Sequence, residues 1–362
     1  LAVQGARALG ATEGAKQPGL RIWHGARAPS PRAHPFQTMA CCTLPMYDLP
    51  EVREATDQLW EGIAQHCNVC LRESGHSSCA GVSLPSELHR STPVPDCWHA
   101  SALLLSQCCG YPLTTSHSGH CQPLYTPSYS CCSSSSSSSS SSKDGAATVA
   151  ARGMYFSQLI VHEASPINTL GDLLDAAARA GDAGGLVVAI NDHGSHSGSN
   201  ALRSCIHGGR RCRSLDDGTG SPSSSPSSFG TGLVVTGSHA ESVRRVQQGT
   251  ADVASIDCVT LALLRAERPS AVSGIKVIGR TQAAPGLPFV TSVSTPQPVC
   301  DALREGLRRA WDDPALAAAR QRLLMVDGAA DGLVAFSTED YAREIGAQSL
   351  QGASVVLGPR GA

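Results

Sequence analysis

The residues of this chain best suited to hold an anion stand where apolar runs end. In GLVVAINDHGSHSGSNAL (185–202), the apolar run Leu186–Ile190 has the pattern of a buried parallel strand. It stops at Asn191-Asp192 and passes through Gly194, Ser195, His196, Ser197 and Gly198 into a helix start. Hydroxyls, small residues and backbone N–H groups at a helix N-terminus suit an oxyanion, because donors and dipole both point at it. Taken alone, such a turn is weak. Other strand ends carry polar residues of the same kind: Tyr47 with Asp48, Ser106 with Gln107, Ser238 with His239, and Asp257. Ligands of open α/β sheets bind beyond the carboxyl ends of the strands, so these ends are candidates for one shared cleft. The inventory is rich in neutral donors, adds an imidazole and carboxylates, and is poor in fixed positive charge. The nearest cations, Arg203, Arg244 and Arg245, all fall beyond the turns.

Each residue also has a simpler reading. Asp192 fits a turn cap, Ser195 and Ser199 fit helix N-caps, and Asp257 fits a cap for the helix that follows it. His239 fits a structural histidine, and Tyr47 and Tyr111 fit half-buried aromatics. Ser197, His239 and Asp257 are in addition the residue types of a hydrolytic triad, which is defined by geometry and not by chain order. Against that, no G-x-S-x-G elbow holds a serine on a strained turn. If His239 keeps an ordinary pKa, protonation near pH 6.5 adds positive charge to the site.

The elements that must position these residues follow from periodicity. A first strand is expected over Leu44–Tyr47, then a helix opened by Pro50 with Val52, Ala55, Leu59 and Ile63 on one face. Further buried strands are expected at Leu103–Leu105, Tyr155–Val161, Leu233–Val235 and Val253–Ile256, with Ile275–Ile278 strand-like. Between them, Leu170, Leu173, Leu174 and Ala177 and then Ala240, Val243 and Val246 keep helical spacing. Ser337 with Asp340 forms an acidic capping box before a last helix. Strands alternating with helices imply a parallel-rich α/β fold. Ser133–Ser142 and the Arg/Ser/Pro-rich segment 207–228 are low-complexity inserts with no packing face.

Composition narrows the function. A formal net charge of -2 gives no basic face for nucleic acid, and no apolar run approaches the roughly 20 residues that span a bilayer. The 15 cysteines fall as doublets and singletons over a long chain, unlike a short disulfide scaffold. Cys67-x-x-Cys70 is half of a zinc pattern without its second pair. The expectation is therefore no metal and no cofactor. Residues 1–38 show no periodicity and no apolar signal segment, and read as a disordered or non-native extension of a cytoplasmic or organellar protein.

The blocks TLPMYDLPEV (43–52), LLLSQCCGYPL (103–113), VVAINDHGSHSGSNAL (187–202), VVTGSHAESVRRVQQGTADVASIDCVT (234–260) and PGLPFVT (285–291) resemble, in order, the phosphate/phosphonate-type solute-binding proteins of ABC transporters, most closely their PhnD-like branch. The resemblance implies a type II periplasmic-binding-protein fold, two α/β lobes with a ligand cleft between them and no catalysis. Its implied layout is lobe 1 over 39–128, a Ser-rich insert near the hinge over 129–153, lobe 2 over 154–257, and a return to lobe 1 over 258–362. Carried over by position, the anion-contacting helix start falls on Ser195, His196, Ser197 and Gly198, the cleft histidine on His239, the cleft acid on Asp257 and the first-lobe aromatic on Tyr47. Ser106, Gln107 and Tyr111 fall on the opposite wall. The implied partners are a small oxyanion such as phosphate or phosphonate and an ABC permease, with an enzyme using Ser197, His239 and Asp257 as the alternative. The chain departs from the family pattern after Leu124-Tyr125-Thr126-Pro127, where the serine run interrupts an expected crossing strand.

Overall fold

The computed structural model describes residues 41–91, 94–133, 150–179, 186–207 and 232–350. The expected N-terminal extension and most of both low-complexity inserts lie outside the described residues. The chain starts with β1 (Cys41–Thr43), α1 (Arg53–Glu73), α2 (Val94–His99), β2 (Leu103–Gln107), α3 (Gly110–Thr114), β3 (Cys121–Pro127) and the short α4 (Ser130–Ser133). After β4 (Met154–Tyr155) come β5 (Ser157–His162), α5 (Leu170–Arg179), β6 (Val187–Ile190), a π-helical turn over His196–Asn200 and α6 (Ala201–His207). Then follow β7 (Gly232–Val235), α7 (His239–Gln247), β8 (Val253–Asp257), α8 (Cys258–Glu267) and β9 (Ile275–Arg280). The chain returns through β10 (Ala284–Pro285), β11 (Phe289–Ser292), α9 (Gln297–Asp312), α10 (Ala317–Arg322), α11 (Ala329–Gly332), β12 (Leu333–Val334) and α12 (Thr338–Leu350).

Among the described residues two five-stranded sheets form, ordered β1-β2-β11-β3-β12 and β7-β6-β8-β5-β9, with β4 and β10 forming a two-stranded antiparallel ribbon. Each sheet mixes parallel and antiparallel pairs, β1 with β2 and β6 with β7 and β8 being parallel. The chain passes through β4 into the second sheet and back through β10 into the first, so the ribbon is the connection between two lobes. β9 pairs with β5, from Gln158 opposite Arg280 to His162 opposite Ile275. The second sheet thus extends past 257, the end expected for lobe 2, because the chain pairs once more with β5 before it crosses.

Packing explains why these sequences take these forms. The face of α1 carrying Ala55, Leu59 and Ile63 is buried against α9, whose Val299, Leu303, Leu307 and Trp311 are fully covered. α9 comes so close that a Cβ at Gly306 would lie 2.5 Å from the Cys67 Cα. Around the first sheet a single apolar core forms, and it reaches into the junction through Tyr155, Cys258, Val259 and Leu287. The second sheet buries one cluster on each face, around Leu159, Val188 and Leu202 and around Ile160, Ala189 and Val243. α8 serves both lobes, with Val259 and Leu263 in the first core and Leu261 and Leu264 in the second. Among the described residues no helix is long and apolar enough to cross a membrane.

The first strand is Cys41–Thr43 and not Leu44–Tyr47. Leu44 follows it into a turn in which Tyr47 takes a left-handed backbone, φ 62°. β3 completes as a strand despite Pro123 and Pro127, because β11 and the short β12 flank it and the prolines need no N–H partner there. The capping box forms as expected: Asp340 Oδ2 accepts from the Ser337 N–H at 2.9 Å, and Ser337 Oγ accepts from the Asp340 N–H at 3.1 Å.

Candidate functional site

Asp257 ends β8 and N-caps α8, its Oδ1 accepting from the Val259 and Thr260 N–H groups at 2.8 and 3.0 Å. The capping role and the cleft role are therefore not alternatives, because Oδ2 is left for another partner. That partner comes from the other lobe: the Tyr47 hydroxyl donates to Oδ2 at 2.8 Å across 210 residues of sequence. Asp257 is 2% exposed. Burial raises its carboxyl to about 8, with Cys258 adding to the shift and the three hydrogen bonds opposing it. Tyr47 is raised well above its usual range by burial and then by Asp257. A left-handed backbone costs a tyrosine about 1–3 kcal/mol, and here it aims the ring between Asp257 and Tyr129, whose ring centroid lies 5.3 Å away.

On the second lobe, Ser195 caps the π-helical turn, its Oγ accepting from the Gly198 N–H at 3.1 Å and lying 3.4 Å from Ser197 Oγ. Ser197 Oγ is 2.9 Å from His239 Nε2. Burial pushes His239 down to about 4, the Ser255 backbone working in the other direction, so the imidazole is neutral where a pKa near 6.5 would leave it half charged. His196 is likewise lowered to about 4 by burial, and Asn200 Nδ2 lies 3.1 Å from its Nδ1. Gly198 is obligatory by contact, since a Cβ there would strike the Asn191 side chain.

These two groups of residues meet through Ser157. Ser157 stands opposite Asp257 in the β5–β8 register, and its hydroxyl donates to the Ser197 carbonyl at 3.1 Å. Ser255, two residues before Asp257, donates to the same carbonyl at 2.6 Å. On the first-lobe wall, Gln107 Nε2 donates to the Tyr129 hydroxyl at 3.3 Å and to the Leu287 carbonyl at 3.1 Å. Tyr155 completes the set: its buried hydroxyl has no nitrogen or oxygen partner, and its ring centroid is 6.2 Å from that of His196.

Not every expected residue joins them. Ser106, adjacent to Gln107 on a strand, faces the opposite way and accepts from Trp98 Nε1 at 3.2 Å. Tyr111 is half-buried on α3 and packs against the first-lobe core, while α3 itself lies against the π-helical turn. Asp48 is held by Arg90 at 2.7 Å, and Asp192 is an exposed turn cap accepting from the Gly194 N–H at 2.7 Å. Arg244 and Arg245 are both engaged by Glu241 on α7.

The sequence profile described as "ABC transporter, phosphonate, periplasmic substrate-binding protein" matches residues 138–341, more than half of the chain. The chain belongs to this family. No curated protein sequence matches it significantly, but solved structures share its fold. The binding-protein component of a phosphonate ABC transporter from Pseudomonas aeruginosa is 12% identical and superposes with a TM-score of 0.57, covering 87% of this chain and 89% of that one. The PhnD protein of Prochlorococcus marinus, in complex with methylphosphonate, is 10% identical with a TM-score of 0.55 over 83% of this chain and 94% of that one. A Xanthomonas citri protein bound to ATP is 17% identical with a TM-score of 0.53, over 83% and 94% of the two chains. This likeness identifies the two sheets and their ribbon as the two-lobed periplasmic-binding-protein fold.

For a substrate-binding protein of this family, the residues that sequence reasoning missed are informative. Tyr129 falls within the serine-rich insert expected over 129–153, because the run that follows hides the order just before it. Tyr155 and Ser157 begin an expected strand, and only the pairing of β4 with β10 and β5 with β8 brings them to Asp257.

Proposed function

We propose that this substrate-binding protein holds a small oxyanion of the phosphate or phosphonate class between its lobes and performs no chemistry on it. The observation that carries the reading is the Tyr47–Asp257 hydrogen bond between the lobes, joined through Ser157 to the Ser195–Ser197–His239 chain. Asp257 protonated below about pH 8 sets no like charge against an anion. Neutral hydroxyls at a helical N-terminus add oriented donors. Tyr47, Gln107, Ser195, His196, Ser197, Gly198, His239 and Asp257 make up this site, with Tyr129 and Tyr155 added. Delivery of the ligand to an ABC permease is part of the same proposal and rests on family membership.

The geometry gives no support to the hydrolase alternative. A triad needs a carboxylate on the histidine, but both Asp257 oxygens are engaged elsewhere, by Tyr47 and by the α8 N–H groups.

Isothermal titration with methylphosphonate, phosphate and sulfate tests the reading. Saturable binding by at least one is expected, weakened by about 1–3 kcal/mol in Ser197→Ala, which leaves a charged oxygen short of a donor. Arg244→Ala leaves affinity unchanged, because Glu241 already neutralises that arginine. An affinity that depends on Arg244 and ignores Ser197 places the ligand elsewhere.

A further inference from the structure

Three thiols converge where α4 meets α8, beside Asp257 and outside the donors assigned above. Cys131 and Cys132 lie on α4, and Cys258 is the first residue of α8. The Cys132 and Cys258 sulfurs are 3.1 Å apart, those of Cys131 and Cys132 3.9 Å apart, and all three lie within 4.8 Å of one another. Cys132 and Cys258 are 6% and 2% exposed. Cys131 is half-buried and gives the cluster an edge toward solvent.

The trio differs from three other buried cysteines. Cys67, Cys121 and Cys300 each find a backbone carbonyl, at 3.7, 3.2 and 3.5 Å, as small core residues with weak S–H donors do. Cys131, Cys132 and Cys258 instead turn their sulfurs toward one another, which satisfies no strong acceptor. Backbone groups add to this, with Phe156 hydrogen-bonding the Cys258 sulfur in the sense that favours a thiolate. The groups that act on the three thiols are chiefly each other and Asp257, with no lysine or arginine among them. The cluster is therefore a set of convergent soft donors with no cation acting on it. What complements it is a cation.

Distance supports the same occupant. Metal–sulfur bonds of about 2.3 Å in tetrahedral or trigonal geometry place sulfurs roughly 3.8–4 Å apart. The Cys131–Cys132 separation of 3.9 Å already meets that spacing, and the Cys132–Cys258 separation of 3.1 Å falls less than an ångström short of it. A disulfide would use two of the sulfurs and leave the third facing it.

We propose that Cys131, Cys132 and Cys258 bind a thiophilic d10 metal ion, zinc or cuprous copper. Binding forms three metal–sulfur bonds and releases the remaining thiol protons to solvent, so affinity rises with pH. With zinc, a fourth position stays open to water; cuprous copper is satisfied by the three soft sulfurs. The ion fixes the first residue of α8, the helix whose next two N–H groups hold Asp257. Metal occupancy then tunes anion affinity, a consequence that rests on the oxyanion reading, whereas metal binding itself does not.

The test uses the reduced full chain. Competition against chromophoric chelators under anaerobic conditions measures zinc and Cu(I) separately, and Co(II) replaces zinc as a spectroscopic probe. One equivalent of one of the two ions is expected at micromolar or tighter affinity; for a zinc site, Co(II) gives intense near-ultraviolet thiolate charge-transfer bands. Alkylation mapped by mass spectrometry shows Cys131, Cys132 and Cys258 protected together by the ion, a readout that needs no variant. Cys132→Ser and Cys258→Ser each lower affinity at least a hundredfold, while Cys41→Ser does not. If neither ion binds, if protection maps to other cysteines, or if the reduced chain only forms a Cys132–Cys258 disulfide with peroxide and takes no metal, the proposal is wrong. Titration of methylphosphonate with and without the ion is scored separately, so a failed anion site leaves the metal result standing.

Discussion

At the scale of single residues, Asp257 concentrates the tension in this protein. Its carboxyl is buried, yet it accepts from two N–H groups and a tyrosine. Burial outweighs those bonds and lifts the group to about 8 from a usual value of 3.8. The folded chain thus holds a proton that the unfolded chain gives up. The stability contributed by that proton is fully present below about pH 4 and is lost as pH rises through about 8. Denaturant unfolding from pH 5 to 9 should show wild type losing stability relative to Asp257→Asn as pH climbs, up to about 1.4 kcal/mol per pH unit. A parallel pH dependence of the two proteins would show that Asp257 ionises normally. The same proton bears on binding: sulfate, whose charge does not change over this range, should bind more weakly above pH 8 as Asp257 turns anionic. His239 makes the opposite point. Its type and position were legible in the sequence, but its pH behaviour was not. With the imidazole lowered to about 4, loss of affinity in a His239→Ala variant should be the same at pH 6 and pH 7.5.

Among the elements, legibility followed period and failed with adjacency. The buried face of α1, the β6 run and the capping box of α12 each lie within one stretch of sequence, so spacing alone exposes them. β9 is legible as a strand, but nothing local says that it pairs back onto β5 before the chain leaves the second lobe. Tyr129 and Tyr155 are invisible for the same reason, because Tyr129 joins the site through Gln107 and Tyr47, and Tyr155 through His196, none of them neighbours in sequence. The π-helical turn is hidden too, since its Gly/Ser run carries no apolar stripe from which to count a period. The α1–α9 crossing depends on one residue that a pattern search reads merely as helix-weakening. A Cβ at Gly306 would sit 2.5–2.7 Å from the Cys67 Cα, Sγ and N, and two of these are backbone atoms that cannot rotate away. Gly306→Ala would improve helix propensity by about 1 kcal/mol on an exposed helix. Here it should instead destabilise by about 1–3 kcal/mol, the range for overpacked cores, and a lowered thermal midpoint would report it. Unchanged or raised stability would mean that the two helices separate without cost.

Across the whole molecule, α12 ties together the parts that a two-lobed binding protein must bring into register. It packs on α3 of the first lobe, on β10 of the connecting ribbon, and on α6 and the π-helical turn of the second lobe. Near its start, the Tyr341 hydroxyl donates to the Gly286 carbonyl at 2.7 Å and lies 2.6 Å from Thr126 Oγ1. Farther along, Gln348 Nε2 donates to the Ala283 carbonyl at 2.9 Å, and the Gln348 carbonyl accepts from the Ser204 hydroxyl. The Gln348 side chain also hydrogen-bonds His196, next to the proposed anion site. The first half of the helix is therefore bound to one lobe and the second half to the ribbon and the other lobe. A chain ending at Ile345 keeps Tyr341 and Ile345, both buried in the first core, and loses the link to the second. It should fold with unaltered circular dichroism. Its closed form loses two or three hydrogen bonds at about 1 kcal/mol each, so the equilibrium shifts toward separated lobes. Apparent affinity falls by the fraction of molecules that are closed, about tenfold for each 1.4 kcal/mol. Small-angle scattering should show a larger radius of gyration for the truncated chain than for the full one, with the difference narrowing on saturation with the oxyanion. Equal radii together with equal affinities would show that α12 only covers the first core and takes no part in closure.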